Sequence, residues 1–275
     1  MVAHTLVGYV LAVGLQSALR GEQGGRVALG LVLWVICLNG GTLALNSAHD
    51  NDEGDIAYLR QPPPPPRHLA RFSLGLMLLG LLLASLLPGE FQAAYAICLV
   101  LSVLYSVPPV RLKAVPGADW LINMVGFGTL TPYAGWAATG LPLHAAPGVV
   151  LLGFCPLFAA LYPLTQIYQF EEDSRRGDRT LARSLGVRWS LLVSLGAATA
   201  AFALFAAAGR LAGWSAAEGW RWLALGVPAV GWGLVLIAWL RRHDQMKARD
   251  HQRGMYWALG AWALTDFAVV LAWAT

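Results

Sequence analysis

Charge is what this chain has least of. Only 12% of its 275 residues are Asp, Glu, Lys or Arg, against ~25% in an ordinary soluble domain. With 57% hydrophobic residues, that scarcity excludes a soluble globular protein. It also excludes a soluble domain on a single anchor, because apolar runs recur along the whole length. Cysteine is scarce too. Cys37, Cys98 and Cys155 all lie inside apolar runs and have no CxxC spacing, so neither a disulfide framework nor a zinc site is indicated. The first apolar run, from about Leu6, lacks a basic stretch before it and reads as a retained helix rather than a signal peptide. Strand-like alternation is missing, which excludes a membrane barrel. The net charge of +4 is modest and gives no reason to expect a nucleic-acid partner.

What is present is a series of apolar runs. Length and flanks divide them at about 3–19, 26–46, 69–88, 91–107, 117–138, 146–168, 187–208, 221–240 and 255–274. The expectation is one all-α, polytopic domain over 1–275, with nine transmembrane helices. All but four of the 19 basic residues then fall on one side; only Arg20, Arg26, Arg210 and Arg221 stay on the other. The positive-inside rule puts the crowded side, and the N-terminus, in the cytoplasm, here expected to border a bacterial inner (plasma) membrane. The Pro62–Pro66 run reads as a stiff, extended loop returning the chain to the third span.

Two acidic segments stand out on the cytoplasmic side. The first is Asn46-Ser-Ala-His-Asp50-Asn-Asp52-Glu53-Gly-Asp55 and the second is Gln169-Phe-Glu-Glu172-Asp173. In each, a polar side chain and a carboxylate are four residues apart, so on a helix they share a face. Carboxylates at a membrane boundary are costly unless something binds them. Two such clusters point to Mg2+, which takes one or two carboxylates together with phosphate oxygens. Arg175, Arg176 and Arg179 follow the second segment directly. They either pair with its carboxylates or grip the far side of a diphosphate. A third element, Tyr105-Ser-Val-Pro-Pro-Val-Arg111-Leu-Lys113, ends the fourth span. In an extended loop Arg111 and Lys113 face one way and can contact phosphate.

These three elements, in this order, resemble the UbiA-type membrane prenyltransferases. The resemblance extends into Gly177-Asp178-Arg179-Thr180-Leu181 and Leu185-Gly186. It implies nine helices around a central membrane cavity and two Asp-rich motifs that hold Mg2+ and an isoprenyl diphosphate. It also implies transfer of the prenyl group to a lipophilic or aromatic acceptor among the membrane lipids. Asn46, Asp50 and Asp173 match the family motifs directly, and Asp52 matches an often acidic position. The chain departs at Ser47, at Gly54 with Asp55 one place late, and at Gln169, where the family has Asp. The implied metal set is Asn46, Asp50, Asp52, Glu172 and Asp173. Asp50, Asp173, Arg111 and Lys113 would act on the leaving group. Asn46, Gln169, Arg175, Arg176, Arg179, Tyr105, Tyr168 and Asn123 would contact substrate.

Some readings stay open. Tyr105, Tyr133, Tyr162 and Tyr168 either line an apolar cavity and steady a carbocation or belong to interfacial belts. Asn123 either points into the cavity or joins helices. Asp266, mid-span in the last helix, is either functional or hydrogen-bonded to Ser, Thr, Trp or backbone. A terpene cyclase on the same scaffold needs no acceptor, and a secondary transporter would place its binding groups near mid-membrane.

Overall fold

The computed structural model describes residues 1–50, 64–170, 174 and 179–275. Every regular element among these is helical. In hydrocarbon this is the open-chain solution that satisfies every backbone group within its own segment. We label the main elements α1 (Val2–Val13), α2 (Gly24–Asp50), α3 (Leu69–Ala84), α4 (Gly89–Ser106), α5 (118–137), α6 (Ala145–Gln169), α7 (Leu181–Leu211), α8 (Ala216–Gln245) and α9 (Ala248–Ala274).

Six of these, α2, α4 and α6 to α9, are long and apolar enough to cross a membrane. The outward faces are apolar as well: Leu19, Phe72, Leu82, Leu86, Leu223, Leu234, Trp257 and Phe267 are all exposed. An outer surface of this kind belongs against lipid, and the chain is an integral membrane protein. The expected count of nine crossings is not carried by length. Gly14, at φ 79°, stops α1 after 12 residues. Helix α3 has 16 residues, and α5 changes its winding partway.

That change is a wide π segment, Met124–Leu130. A second one, Val32–Gly40, lies within α2. Such segments are rare and often mark functional sites. The buried side chains form two cores. One joins α2 to α5 around Trp34, Phe91 and Tyr95. The other joins α6 to α9 around Phe154, Phe205 and Trp232. Helix α1 serves both, with Tyr9 in the first and Val7 in the second. It reaches that position by pressing on α5 through two glycines. A Cβ on Gly8 would sit 1.6 Å from the Pro132 carbonyl oxygen, and one on Gly135 would sit 1.8 Å from that of Thr5. Small residues at a crossing let backbones touch in a way that larger ones forbid.

Candidate functional site

The C-terminal end of α2 carries Asn46 and Asp50 of the first acidic segment. Its helical spacing does what the sequence implies: the Asn46 amide donates to Asp50 Oδ2 at 2.8 Å. The loop after α4 closes on the same pair. Lys113 is ion-paired with Asp50 Oδ1 and donates to Asn46 Oδ1 at 2.9 Å. The Arg111 guanidinium is 3.6 Å from Asp50 Oδ1. The Ser106 hydroxyl lies 3.4 Å from Asn46 Oδ1 and donates to it. The Asp50 and Lys113 side chains are only 6% and 8% exposed, so their attraction is little screened.

The extended loop expected at Arg111–Lys113 is not what forms. Arg111 sits in the left-handed region at φ 36°, and Leu112–Ala114 is a tight 3-10 turn. Alternation along a strand therefore does not bring the two cations together. A left-handed corner followed by a turn does, and it aims both at one carboxylate.

Below the pair lies a cavity of about 230 Å³. Asn46 forms part of its wall, with Thr42, Ser102, Tyr105 and Asn123 around it, while Leu38, Leu101, Phe127 and Trp34 line the rest. Both π segments contribute: Trp34, Leu38 and Asn39 from α2, Gly126 and Phe127 from α5. They are tied together where Trp34 Nε1 donates to Thr131 Oγ1 at 3.3 Å, and Thr131 in turn donates to the Gly126 carbonyl at 2.9 Å. Phe127 stacks on Phe158 at 5.4 Å. Asn123 lines the cavity, and its amide donates at 2.8 Å to the Asp119 carbonyl one turn back on the same helix, a bond that joins no second helix.

Of the second segment, Gln169 is described; Glu172, Asp173, Arg175 and Arg176 lie outside the described residues, as do Asp52, Glu53 and Asp55. Gln169 Nε2 lies 3.3 Å from the Tyr168 hydroxyl, which accepts from it. Tyr168 packs against the α6–α9 core, and Arg179 is exposed just before α7. Helix α6 nonetheless reaches the cavity wall, where the Tyr162 and Tyr105 hydroxyls are 2.9 Å apart.

Asp119 escaped the sequence reading. It is fully buried and accepts from Gly117 N at 2.9 Å, Gln166 Nε2 at 3.0 Å and Leu181 N at 3.1 Å. Gln166 Oε1 accepts from Ala182 N at 3.4 Å. Gln166 precedes the second acidic segment and Leu181 follows it, so one carboxylate pins both ends. The available signal was an acidic residue in the first turn of a helix, directly after Pro116-Gly117.

Asp266 pairs with a residue not among the expected partners. Its Oδ1 is 2.9 Å from His4 Nδ1, and His4 Nε2 is 3.2 Å from the Gly128 carbonyl. A carbonyl only accepts, so Nε2 carries the hydrogen. The imidazole lies edge-on to Phe154 and Trp262. The pair thereby joins α1 and α9 to the π segment of α5.

Among the described residues, no three His, Cys, Asp or Glu side chains gather as a metal group. Asn46 and Asp50 do supply hard oxygen donors of the kind Mg2+ takes, and a cation, the Lys113 ammonium, already lies against both. These residues fit such an ion.

Comparison with known proteins gives a consistent picture. Residues 1–260 match the UbiA prenyltransferase family. A homogentisate solanesyltransferase, chloroplastic, of Arabidopsis thaliana is 33% identical over 175 residues, covering 58% of this chain and 45% of that protein. A probable homogentisate phytyltransferase 2, chloroplastic, of Oryza sativa subsp. japonica is 37% identical over 109 residues, 36% of this chain and 28% of that one. The match thus spans less than half the length of either relative. Among solved structures, a UbiA homolog from Archaeoglobus fulgidus bound to GPP and Mg2+ superposes with a TM-score of 0.67 at 19% identity, covering 98% of this chain and 94% of the other. A structure of digeranylgeranylglyceryl phosphate synthase superposes at 0.72 with 12% identity, covering 99% and 92%. At such identities the likeness is one of fold.

Proposed function

Because the chain belongs to the UbiA prenyltransferase family, we propose that it moves an isoprenyl group from an isoprenyl diphosphate to an aromatic acceptor inside the membrane. The observation that carries this reading is the double position of Asn46. One side chain is both part of a cation-holding cluster with Asp50 and part of the wall of a largely apolar cavity. A diphosphate head and a hydrocarbon tail need that adjacency. The plant relatives are named for homogentisate, so we take a homogentisate-like hydroquinone or phenol as the first acceptor to try. The whole chain, 1–275, would act as one domain. Its acidic segments and N-terminus would face the cytoplasm, a reading the distribution of basic residues supports.

In this mechanism Asn46 and Asp50, with Asp173, Glu172 and Asp52, would hold Mg2+. Bound there, the ion would draw electron density from the diphosphate. Lys113 and Arg111 contribute hydrogen bonds and positive charge to the leaving diphosphate, and Arg175, Arg176 and Arg179 would serve its far side. The allylic C–O bond breaks and diphosphate leaves with the electron pair. The cation that remains lies in a largely apolar cavity lined by Trp34, Phe127 and Tyr105, aromatic side chains of the kind that steady a cation. An acceptor ring carbon then forms the new bond, and its proton passes to the departed diphosphate.

The experiment is direct. Purified protein is given isoprenyl diphosphates of increasing length, with homogentisate and other phenols, in Mg2+ or in excess chelator. Prenylated acceptor should form only with metal. Undiminished turnover in chelator, or no transfer from any donor, would refute the reading. Cyclised product without an acceptor would convert it to a cyclase.

A further inference from the structure

The cluster at Asp50 has a property that transfer alone does not require. Lys113 is buried, at 7% exposure, and a lysine that deep is rare unless paired. Its partners include Asp50 Oδ1 and Asn46 Oδ1, two of the oxygens to which the function above gives Mg2+. The remaining Asp50 oxygen accepts from the Asn46 amide. An ammonium that holds both oxygens competes there with a divalent ion.

We propose that Lys113 is a resident stand-in for the metal. It holds Asn46 and Asp50 in the donor-free protein and crosses to the diphosphate when metal and donor enter together. This rests on the transferase reading and adds an order to it: metal binds well only in the company of donor. Charge explains why. Among the described residues the cluster holds one carboxylate, one ammonium and one guanidinium, Asp50, Lys113 and Arg111. A divalent ion that takes these two oxygens without a donor leaves the buried Lys113 ammonium without them. A diphosphate arriving with it brings compensating charge and new acceptors for both cations. Lysine suits the exchange. Its compact head sits on a flexible four-carbon stem and changes partner by rotating its own bonds.

The test uses the full chain in lipid nanodiscs, with Mn2+ as the spectroscopic metal and inorganic pyrophosphate as the headgroup. Free Mn2+ is followed by electron paramagnetic resonance. Wild type should bind Mn2+ on the order of tenfold tighter with pyrophosphate than without, within the usual range for coupled sites. In Lys113→Met, Mn2+ binding without pyrophosphate should tighten by a similar factor, and the coupling should shrink to less than about threefold. Lys113→Arg, which restores a cation, should return binding towards wild type. Lys113→Gln repeats the test if the methionine variant melts early. Equal Mn2+ affinity of wild type and both neutral variants without pyrophosphate would overturn the proposal, as would an absence of coupling in wild type. The same preparations are assayed for prenyl transfer. Transfer without coupling removes the exchange and leaves the transferase; coupling without transfer from any donor does the reverse.

Discussion

Asp119→Ala should loosen both ends of the second acidic segment at once. In the wild type this carboxylate accepts from the Gly117 and Leu181 amides and from the Gln166 side chain. Truncation leaves three donors without an acceptor, and each buried unmet donor costs about 1–3 kcal/mol. Water can reach the two partly buried backbone groups after truncation, so we count roughly 3 kcal/mol in total rather than the full sum. For a chain of this size that is a fall in melting temperature of roughly 6–12 °C, at ~2–4 °C per kcal/mol. Asp119→Asn should fall between, because it keeps one accepting oxygen but turns a second donor towards donors. The functional effect should be specific. Gln169 and Asp173 lie between the two anchors, so the KM for the isoprenyl diphosphate should rise, while an acceptor bound elsewhere in the cavity should be less affected. Thermal unfolding in detergent and steady-state kinetics measure the two effects. If Asp119→Ala melts within roughly 2 °C of wild type, less than 1 kcal/mol by the same scale, and its donor KM is unchanged, the carboxylate pins nothing.

The remaining predictions concern the motif, the deep pair and the helix crossing. Asp50→Ala and Asp173→Ala should each remove most transfer activity while leaving the helical circular-dichroism signal intact; wild-type rates in both would end the motif assignment. His4→Leu and Asp266→Leu should each destabilise by about 3–5 kcal/mol, since each strands a buried partner. The double variant should be less damaged than either single one, and additive losses in thermal melts would argue against a coupled pair. Gly135→Ala should cost about 1–3 kcal/mol or more, because the clash is with the Thr5 backbone oxygen and no rotamer relieves it. An unchanged melting temperature would mean that α1 and α5 sit further apart.

The fold was legible where the solvent imposes it. The apolar runs read at about 146–168 and 187–208 fall within the helices Ala145–Gln169 and Leu181–Leu211, because a helix in hydrocarbon must be long and apolar on its outer face. The interruptions were less legible. Gly14 ends α1 at a positive φ, yet the apolar pattern continues past it to Leu19. The π segments at Val32–Gly40 and Met124–Leu130 have the composition of any apolar helix. The contacts that distinguish them come from elsewhere in the chain: Trp34 reaches Thr131, and His4 reaches the Gly128 carbonyl. Such partners are 97 and 124 residues away, beyond any local pattern.

The site divides along the same line. Asn46 and Asp50 were readable because their relation is local: four residues on one helix share a face, and the hydrogen bond between them follows. Arg111 and Lys113 were readable as charges but not as geometry, since the left-handed corner at Arg111 depends on its surroundings. Asp119 and Asp266 show what the pattern withholds. A carboxylate in an apolar setting states that it must have a partner. It does not state which one. Asp119 is answered by a glutamine 47 residues away and by a backbone amide with no side-chain signature. Asp266 is answered by a histidine at the opposite end of the chain. In a membrane protein the few polar residues are therefore informative as a set. Each unpaired one in the sequence implies another, and the possible pairings are few because the charged residues are few. In the structure His4 pairs with Asp266, and Asp50 with Lys113. The second pair differs from the first in lying beside Asn46, which lines a cavity.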